Sequence, residues 1–319
     1  MKHFLRLFFV GAIGAAIITS GFYSRASAAS TGGEFVLDTE RTESWNKAIA
    51  NSFPESLPAL PRKIDQRRQG LELTAESAVV VDAKSGRVLF EKQSKAPRPL
   101  ASITKLMTAL VLLDLNLDWN GRVTLLEADR DAYGKYYLSP GDEVNRADLF
   151  KLSLGASANN ATAALVRTSG LSMSDFVARM NQKARDLKIE ATFVEPVGIN
   201  PGNFSTAAGV SMLLRAAMQE PKIREATTQA EIRIKLPTTT YTAVSTDDLL
   251  VSFLNRKPYS IMGGKTGFID EAGYCLALSV RFEGHDLDIV VLGTPEPWKR
   301  FEEAKALAVW AFQVFSWEL

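Results

Sequence analysis

The sequence predicts an α+β fold: an antiparallel sheet flanked by helices, with a helical subdomain inserted in the middle of the chain. Three observations predict it. Two short apolar runs near residue 80 flank a glycine-containing turn. Residues 102–219 repeat apolar side chains at helical spacing. The last third changes to three strand-like runs followed by one amphipathic helix. Terminal segments of this kind can close a single sheet, and the insertion then leaves a cleft between the sheet and the helical lobe.

The elements follow in order. Lys2, His3 and Arg6 make a basic start, the run over 7–18 is apolar, and Ala26-Ser27-Ala28 places small residues where a signal peptidase cuts. Residues 1–28 therefore read as a secretory signal peptide. An uncleaved membrane anchor is the alternative, for which the apolar run is short. Residues 29–70 read as a polar leader, punctuated by Pro54, Pro58 and Pro61, with Arg62, Lys63, Arg67 and Arg68 as a solvated face. The folded domain is expected over 71–319. SAVVVDA (77–83) and RVLFEK (87–92) form a hairpin around Lys84-Ser85-Gly86. Pro97 and Pro99 stop any helix from extending backwards, and from Ser102 onward Ile103, Leu106, Met107 and Leu110 mark a helix. Residues 146–166 read as two helical stretches broken around Gly155-Ala156-Ser157-Ala158-Asn159. Helices follow over 174–188, with Ser174 as N-cap, and over 206–219. Strands are expected over 259–268, 272–282 and 286–293, and a final helix over 299–316.

Composition excludes several classes of function. The chain has 319 residues, 46% hydrophobic and 23% charged, with a formal charge of +1, so nothing calls for a nucleic-acid partner. It has one cysteine, Cys275, in the strand-like run AGYCLALSV, where it reads as a buried core thiol unable to form an internal disulfide. It has two histidines, and His3 leaves with the signal peptide. His285, in EGHDLD, reads as a solvated turn residue. One histidine and one cysteine cannot build a His/Cys zinc site, so no metal or other cofactor is expected. A serine nucleophile must then find a base other than histidine.

Ser102 and Lys105 supply such a pair. Residues i and i+3 share a helix face, so the hydroxyl can meet the amine across one turn. The N-terminal end of the helix favours developing negative charge, and a desolvated lysine can act as a base. Ser-x-x-Lys alone is weak: Ser44-Trp45-Asn46-Lys47 matches it too, in the polar leader with no apolar helix behind it. Two further motifs add specificity. Ser157-Ala158-Asn159 falls at the break between helices, and Lys265-Thr266-Gly267 falls on a strand near the sheet edge, with Gly263, Gly264 and Gly267 allowing a substrate backbone to approach. Singly these read as a helix cap, a loop cap and a solvated charge. Together and in order they are the set found in β-lactamases and penicillin-binding proteins.

On these motifs, and on VVVDAKSGRVLFEK, FVEPVGINPGNFSTA and GGKTGFIDEAGYCL, the chain resembles the low-molecular-mass penicillin-binding proteins, the serine D-alanyl-D-alanine carboxypeptidases and endopeptidases, over about residues 75–316. The resemblance implies a β-lactamase/transpeptidase-like fold, with a D,D-peptidase catalytic domain over 71–319. It implies hydrolysis of D-alanyl peptide bonds in peptidoglycan stem peptides, in cell wall remodelling. It also implies β-lactam antibiotics as covalent inhibitors, and export to the periplasm. By the same resemblance Ser102 is the acylated nucleophile, Lys105 its base and Ser157 the proton relay to the leaving amine. Asn159 contacts the substrate peptide and Lys105. Lys265, Thr266 and Gly267 bind the substrate, the first two at its carboxylate, and Lys265 holds Lys105 partly neutral. The backbone N–H groups of Ser102 and Phe268 form the oxyanion hole.

Within the family, NPGNFSTA looks closer to the endopeptidase branch, because Asn203-Phe204 stands where many carboxypeptidases carry a histidine. The chain ends at its terminal helix without the β-rich domain of many carboxypeptidases, an expectation of a soluble enzyme. Two other functions compete. A β-lactamase adds a deacylating carboxylate, for which Glu195 is the obvious residue. A non-catalytic envelope protein would bind cell wall peptides without cleaving them.

Overall fold

A computed structural model describes residues 60–68, 70–130, 136–236 and 239–317. The expected signal peptide, most of the leader and the Ser44–Lys47 motif copy lie outside the described residues. The central sheet has five strands: β1 (Ser77–Asp82), β2 (Val88–Lys92), β3 (Tyr259–Ile269), β4 (Gly273–Phe282) and β5 (His285–Thr294). Their spatial order is β3-β4-β5-β1-β2, all antiparallel, so the two ends of the domain meet where β5 pairs with β1.

Both faces of this sheet are covered, which explains why its strands read as continuous apolar runs. Alternate side chains enter two different cores. Val79, Val81, Ala277, Val290 and Leu292 face the helical lobe. Ala78, Val80, Leu278, Ile289 and Val291 face the C-terminal helix. Each such valine, leucine or isoleucine contributes about 1.5–3 kcal/mol on burial.

The helices are α1 (Thr104–Asp114), α2 (Arg146–Gly155), α3 (Asn159–Arg167), α4 (Met173–Asp186), α5 (Ala207–Gln219), α6 (Pro221–Thr227) and α7 (Lys299–Val314). Helix α1 runs through the lobe with every residue from Thr104 to Leu112 buried. Helix α4 begins one residue earlier than the sequence pattern suggested, and ends at Asp186 rather than 188. Its N-cap is Ser172, which accepts from the Asp175 N–H at 3.1 Å, and Ser174 lies inside the first turn. Helix α7 stops at Val314, short of the expected 316, because Phe315–Ser316 pairs antiparallel with Arg62–Lys63. The end of the leader is thereby tied to the end of the chain. A hairpin of Glu231–Lys235 with Thr240–Val244, and a short pair of Arg122–Thr124 with Glu143–Asn145, were not anticipated.

His285 starts β5 and stacks on Trp317, with ring centroids 4.8 Å apart, rather than standing free in a turn. Cys275 is fully buried, and burial pushes its thiol up to about 11. No helix among the described residues is long and apolar enough to cross a membrane.

Candidate active site

Ser102 stands on a 3₁₀ turn, Ala101–Ile103, that leads into α1, not on the α-helix itself. The turn is held from behind. Leu100 N–H donates to Asn203 O at 2.9 Å, and the preceding Arg98–Pro99 pairs with Phe204–Ser205. Ala101 has φ +47°, a left-handed conformation costly for a side-chain-bearing residue and typical of functional turns. Lys105, one turn on, is fully buried. Its Nζ lies 2.9 Å from Ser102 Oγ, 2.8 Å from Asn159 Oδ1 and 2.6 Å from Val197 O. The turn preserves the i, i+3 relation, so the two side chains meet as the spacing suggested.

The helical break supplies the second wall. Helix α2 ends at Gly155, Ser157 adopts φ +59°, and α3 restarts at the buried Asn159. The edge strand β3 supplies the third. Lys265 is buried, and its Nζ donates to Ser157 Oγ at 2.9 Å and to Thr266 O at 3.0 Å. Burial, then the charges of Lys105 and Arg300, push the Lys265 amine well below the ordinary lysine range, and Asp247 pulls it back. Phe268 is 45% exposed and stacks on Tyr274, with centroids 4.2 Å apart.

Two glycines of this strand also pack closely within the protein. A Cβ at Gly267 would lie 2.9 Å from Leu100 O, and one at Gly263 would lie 2.6 Å from Met218 Sδ. The closest approach is elsewhere, at Gly198, which has φ +89° and whose Cβ would lie 2.1 Å from Ala101 O. Strand and loop thus close directly on the turn that carries Ser102.

Ser102, Ser157, Asn159, Thr266, Gly267 and Phe268 all line one cleft of about 580 Å³ between sheet and lobe. Lys105 and Lys265 reach it from below through their bonds to the two serines. The structure adds residues the motifs did not indicate. Thr246 Oγ1 lies 2.6 Å from Thr266 Oγ1. Arg300, at the start of α7, donates to Gly267 O at 3.1 Å and lines the cleft. Both come from segments with ordinary sequence, a turn and a helix start, so only tertiary contact reveals them.

Both oxygens of Glu195 are engaged within its own loop. Its Oε1 accepts from the N–H groups of Gly198 (2.6 Å) and Ile199 (3.0 Å) and from Asn203 Nδ2 (2.8 Å), and its Oε2 accepts from Val197 N–H (2.6 Å). The carboxylate is the hub of the loop that presents Val197 O to Lys105.

Comparison with known proteins agrees with this geometry. A family model described as D-alanyl-D-alanine carboxypeptidase matches residues 64–296. The D-alanyl-D-alanine endopeptidase of Pseudomonas aeruginosa is 34% identical over 75% of this chain and 77% of its own length. That of Escherichia coli is 32% identical over the same shares. Among solved structures, a mutant of a Streptomyces DD-transpeptidase superposes with a TM-score of 0.71 at 25% identity, covering 76% of this chain and all of that one. A penicillin-binding protein of Listeria monocytogenes, in its cefotaxime-bound form, superposes with a TM-score of 0.67 at 28% identity, covering 76% of this chain and 99% of that one. With the fold, the motif order and a match across most of its length in agreement, the chain belongs to the D-alanyl-D-alanine carboxypeptidase family of serine peptidases.

Proposed function

We propose that the chain hydrolyses D-alanyl peptide bonds of peptidoglycan stem peptides through an acyl-enzyme on Ser102. The observation that carries this reading is the environment of Lys105. A neutral amine has two N–H donors and one lone pair. Asn159 Oδ1 and Val197 O are acceptors placed to take N–H groups of the amine, and Ser102 Oγ, 2.9 Å away, is a hydroxyl that can give its proton to the lone pair. Lysine fits that pattern as a base.

The reaction then runs as follows. Lys105 takes the proton as Ser102 Oγ attacks the carbonyl carbon of the D-alanyl bond. The oxyanion forms against the backbone N–H groups of Ser102 and Phe268, each worth about 3–4 kcal/mol. The C–N bond breaks as Ser157, held by Lys265 Nζ at 2.9 Å, protonates the leaving amine, and the proton that Lys105 took from Ser102 passes back to Ser157. Water, deprotonated by Lys105, releases the acyl group and restores Ser102. Lys265, Thr266 and Arg300 hold the substrate carboxylate, and Asn159 holds its peptide.

We assign the catalytic domain to residues 71–319 and the export signal to 1–28, which places the enzyme in the periplasm. The basic start, apolar run and small-residue triplet support this location. Cross-link cleavage is the favoured activity, supported by the two endopeptidase relatives and by Asn203 in place of a histidine. β-Lactams are expected to acylate Ser102, as the antibiotic-bound relative suggests.

The test offers the purified protein a monomeric pentapeptide and a cross-linked dimer, with products identified by mass. Conversion of dimer to monomers supports the endopeptidase, and release of D-alanine alone supports the carboxypeptidase. Labelling of the Ser102→Ala variant by a fluorescent penicillin would refute the assignment of the nucleophile.

A further inference from the structure

The hydroxyl assigned to the substrate carboxylate has a second hydroxyl beside it that the reaction sequence does not use. Thr266, on β3, is buried and lines the cleft. Among the described residues the hydrogen-bond partner of its Oγ1 is Thr246 Oγ1, at 2.6 Å. Thr246 follows the hairpin and lines the same cleft. Its backbone N–H donates to Gly155 O, at the end of α2, at 3.0 Å. Ser245 Oγ donates to that carbonyl as well, at 3.3 Å. Thr246 Oγ1 stands 3.4 Å from it, a much longer contact than the one to Thr266.

A threonine hydroxyl has one proton to give and two lone pairs to receive with. The short contact between the two threonines uses one of their two protons. A proton given by Thr266 to Thr246 is lost to a carboxylate, which only accepts. A proton given by Thr246 to Thr266 leaves Thr266 its own proton for the ligand, and each bond in such a chain polarises the next. Gly155 O competes weakly for the Thr246 proton, because a backbone N–H and the Ser245 hydroxyl already serve its two lone pairs.

We propose that Thr246 is a positioning residue at the carboxylate end of the cleft: its hydroxyl donates to Thr266 Oγ1 and so fixes Thr266 as a donor toward the substrate carboxylate. The inference rests on the D,D-peptidase reading above, in which Thr266 holds that carboxylate. The tie between the hairpin's exit and α2 is a separate matter. It is made by the Thr246 backbone N–H and stays when the side-chain hydroxyl is removed.

The experiment measures second-order acylation rates with a fluorescent penicillin and with the same penicillin esterified at its carboxylate. It uses the unaltered protein, Thr246→Val, Thr246→Ser, Thr266→Val and the double valine variant. Thr246→Val, close in shape but without the hydroxyl, should lose about 3- to 10-fold with the free carboxylate, the range of one neutral hydrogen bond. It should lose nothing with the ester. Thr246→Ser should recover the rate. The double variant should be no slower than Thr266→Val alone, since Thr246 acts through Thr266. Should Thr246→Val fail to fold, Thr246→Ala removes the same hydroxyl and takes its place. An equal loss with acid and ester would overturn the proposal, because it would mark a general loosening of the cleft. Additive losses in the double variant would also overturn it, as would unchanged labelling of Thr246→Val. Absence of labelling in the unaltered protein would overturn the peptidase reading itself, and this proposal with it.

Discussion

The proposed reaction depends on one side chain that must shed a proton, and this separates lysine from its nearest substitute. Lys105→Arg keeps the positive charge and much of the length. A guanidinium does not deprotonate in a protein, so it has no lone pair for the Ser102 hydroxyl. If Lys105 acts as the base, Lys105→Arg should lose acylation by penicillin as fully as Lys105→Ala does, by three orders of magnitude or more. A purely electrostatic role would be rescued by arginine, and stopped-flow labelling of the two variants decides between them. Ser102, Lys105, Ser157, Asn159 and Lys265 were legible in the sequence because they stand in short motifs with fixed spacing. Arg300 and Thr246 were not. Each reaches the cleft through contacts between segments far apart in the chain, and no local pattern encodes those. The strained Ala101 and Ser157 backbones were equally invisible, since alanine and serine give no hint of a positive φ.

At the scale of elements, the loop 194–203 gives Glu195 a structural task that the sequence alone does not display. Glu195 stands out in the sequence as a lone carboxylate near the motifs, but its oxygens are taken up by backbone N–H groups and by Asn203. Asn203 Oδ1 in turn accepts from Val194 N–H at 2.7 Å, so the loop is closed from both ends. Glu195→Ala should therefore loosen the presentation of Val197 O to Lys105 and slow acylation about tenfold. It should leave the lifetime of the penicillin adduct unchanged. A markedly longer-lived adduct would instead mark Glu195 as a deacylating base. Pulse labelling followed by chase with unlabelled drug reads both rates. Elements with strong periodicity were legible, including all five strands of the sheet. The hairpin at 231–244 was missed although EIRIK alternates exposed and buried residues, because five residues with two charged flanks look like a loop. The start of α4 slipped because Ser172 and Ser174 are equivalent as caps until Asp175 selects the first.

At the scale of the whole molecule, two of the carboxyls buried among the described residues, Asp247 and Asp288, share one electrostatic character. Asp247 lies behind the cleft, and Asp288 lies in β5 beside Arg215 of α5, with 3.5 Å between the charged groups. Burial pushes both carboxyls up to about 6 from an ordinary 3.8. Each therefore holds its proton more tightly in the folded than in the unfolded chain, and proton uptake favours folding. That contribution is complete below about pH 4 and is lost as the pH rises through about 6. Between pH 7.5 and pH 5 each group should add about 1–1.5 kcal/mol of stability. For a domain of this size that amounts to a rise of several degrees in melting temperature from the pair. Asp247→Asn, isosteric and uncharged, should be more stable than the unaltered protein at pH 7.5 and should show about half the rise on acidification. Asp288→Asn is a poorer probe, because it strands Arg215. Differential scanning calorimetry across that range decides the matter. A melting temperature that falls from pH 7.5 to 5, equally in protein and variant, would show that these carboxyls are solvated and that the wall behind the cleft is open to water. A rise that the substitution halves would show that the fold tolerates a destabilising charge at neutral pH in the wall that borders its active site.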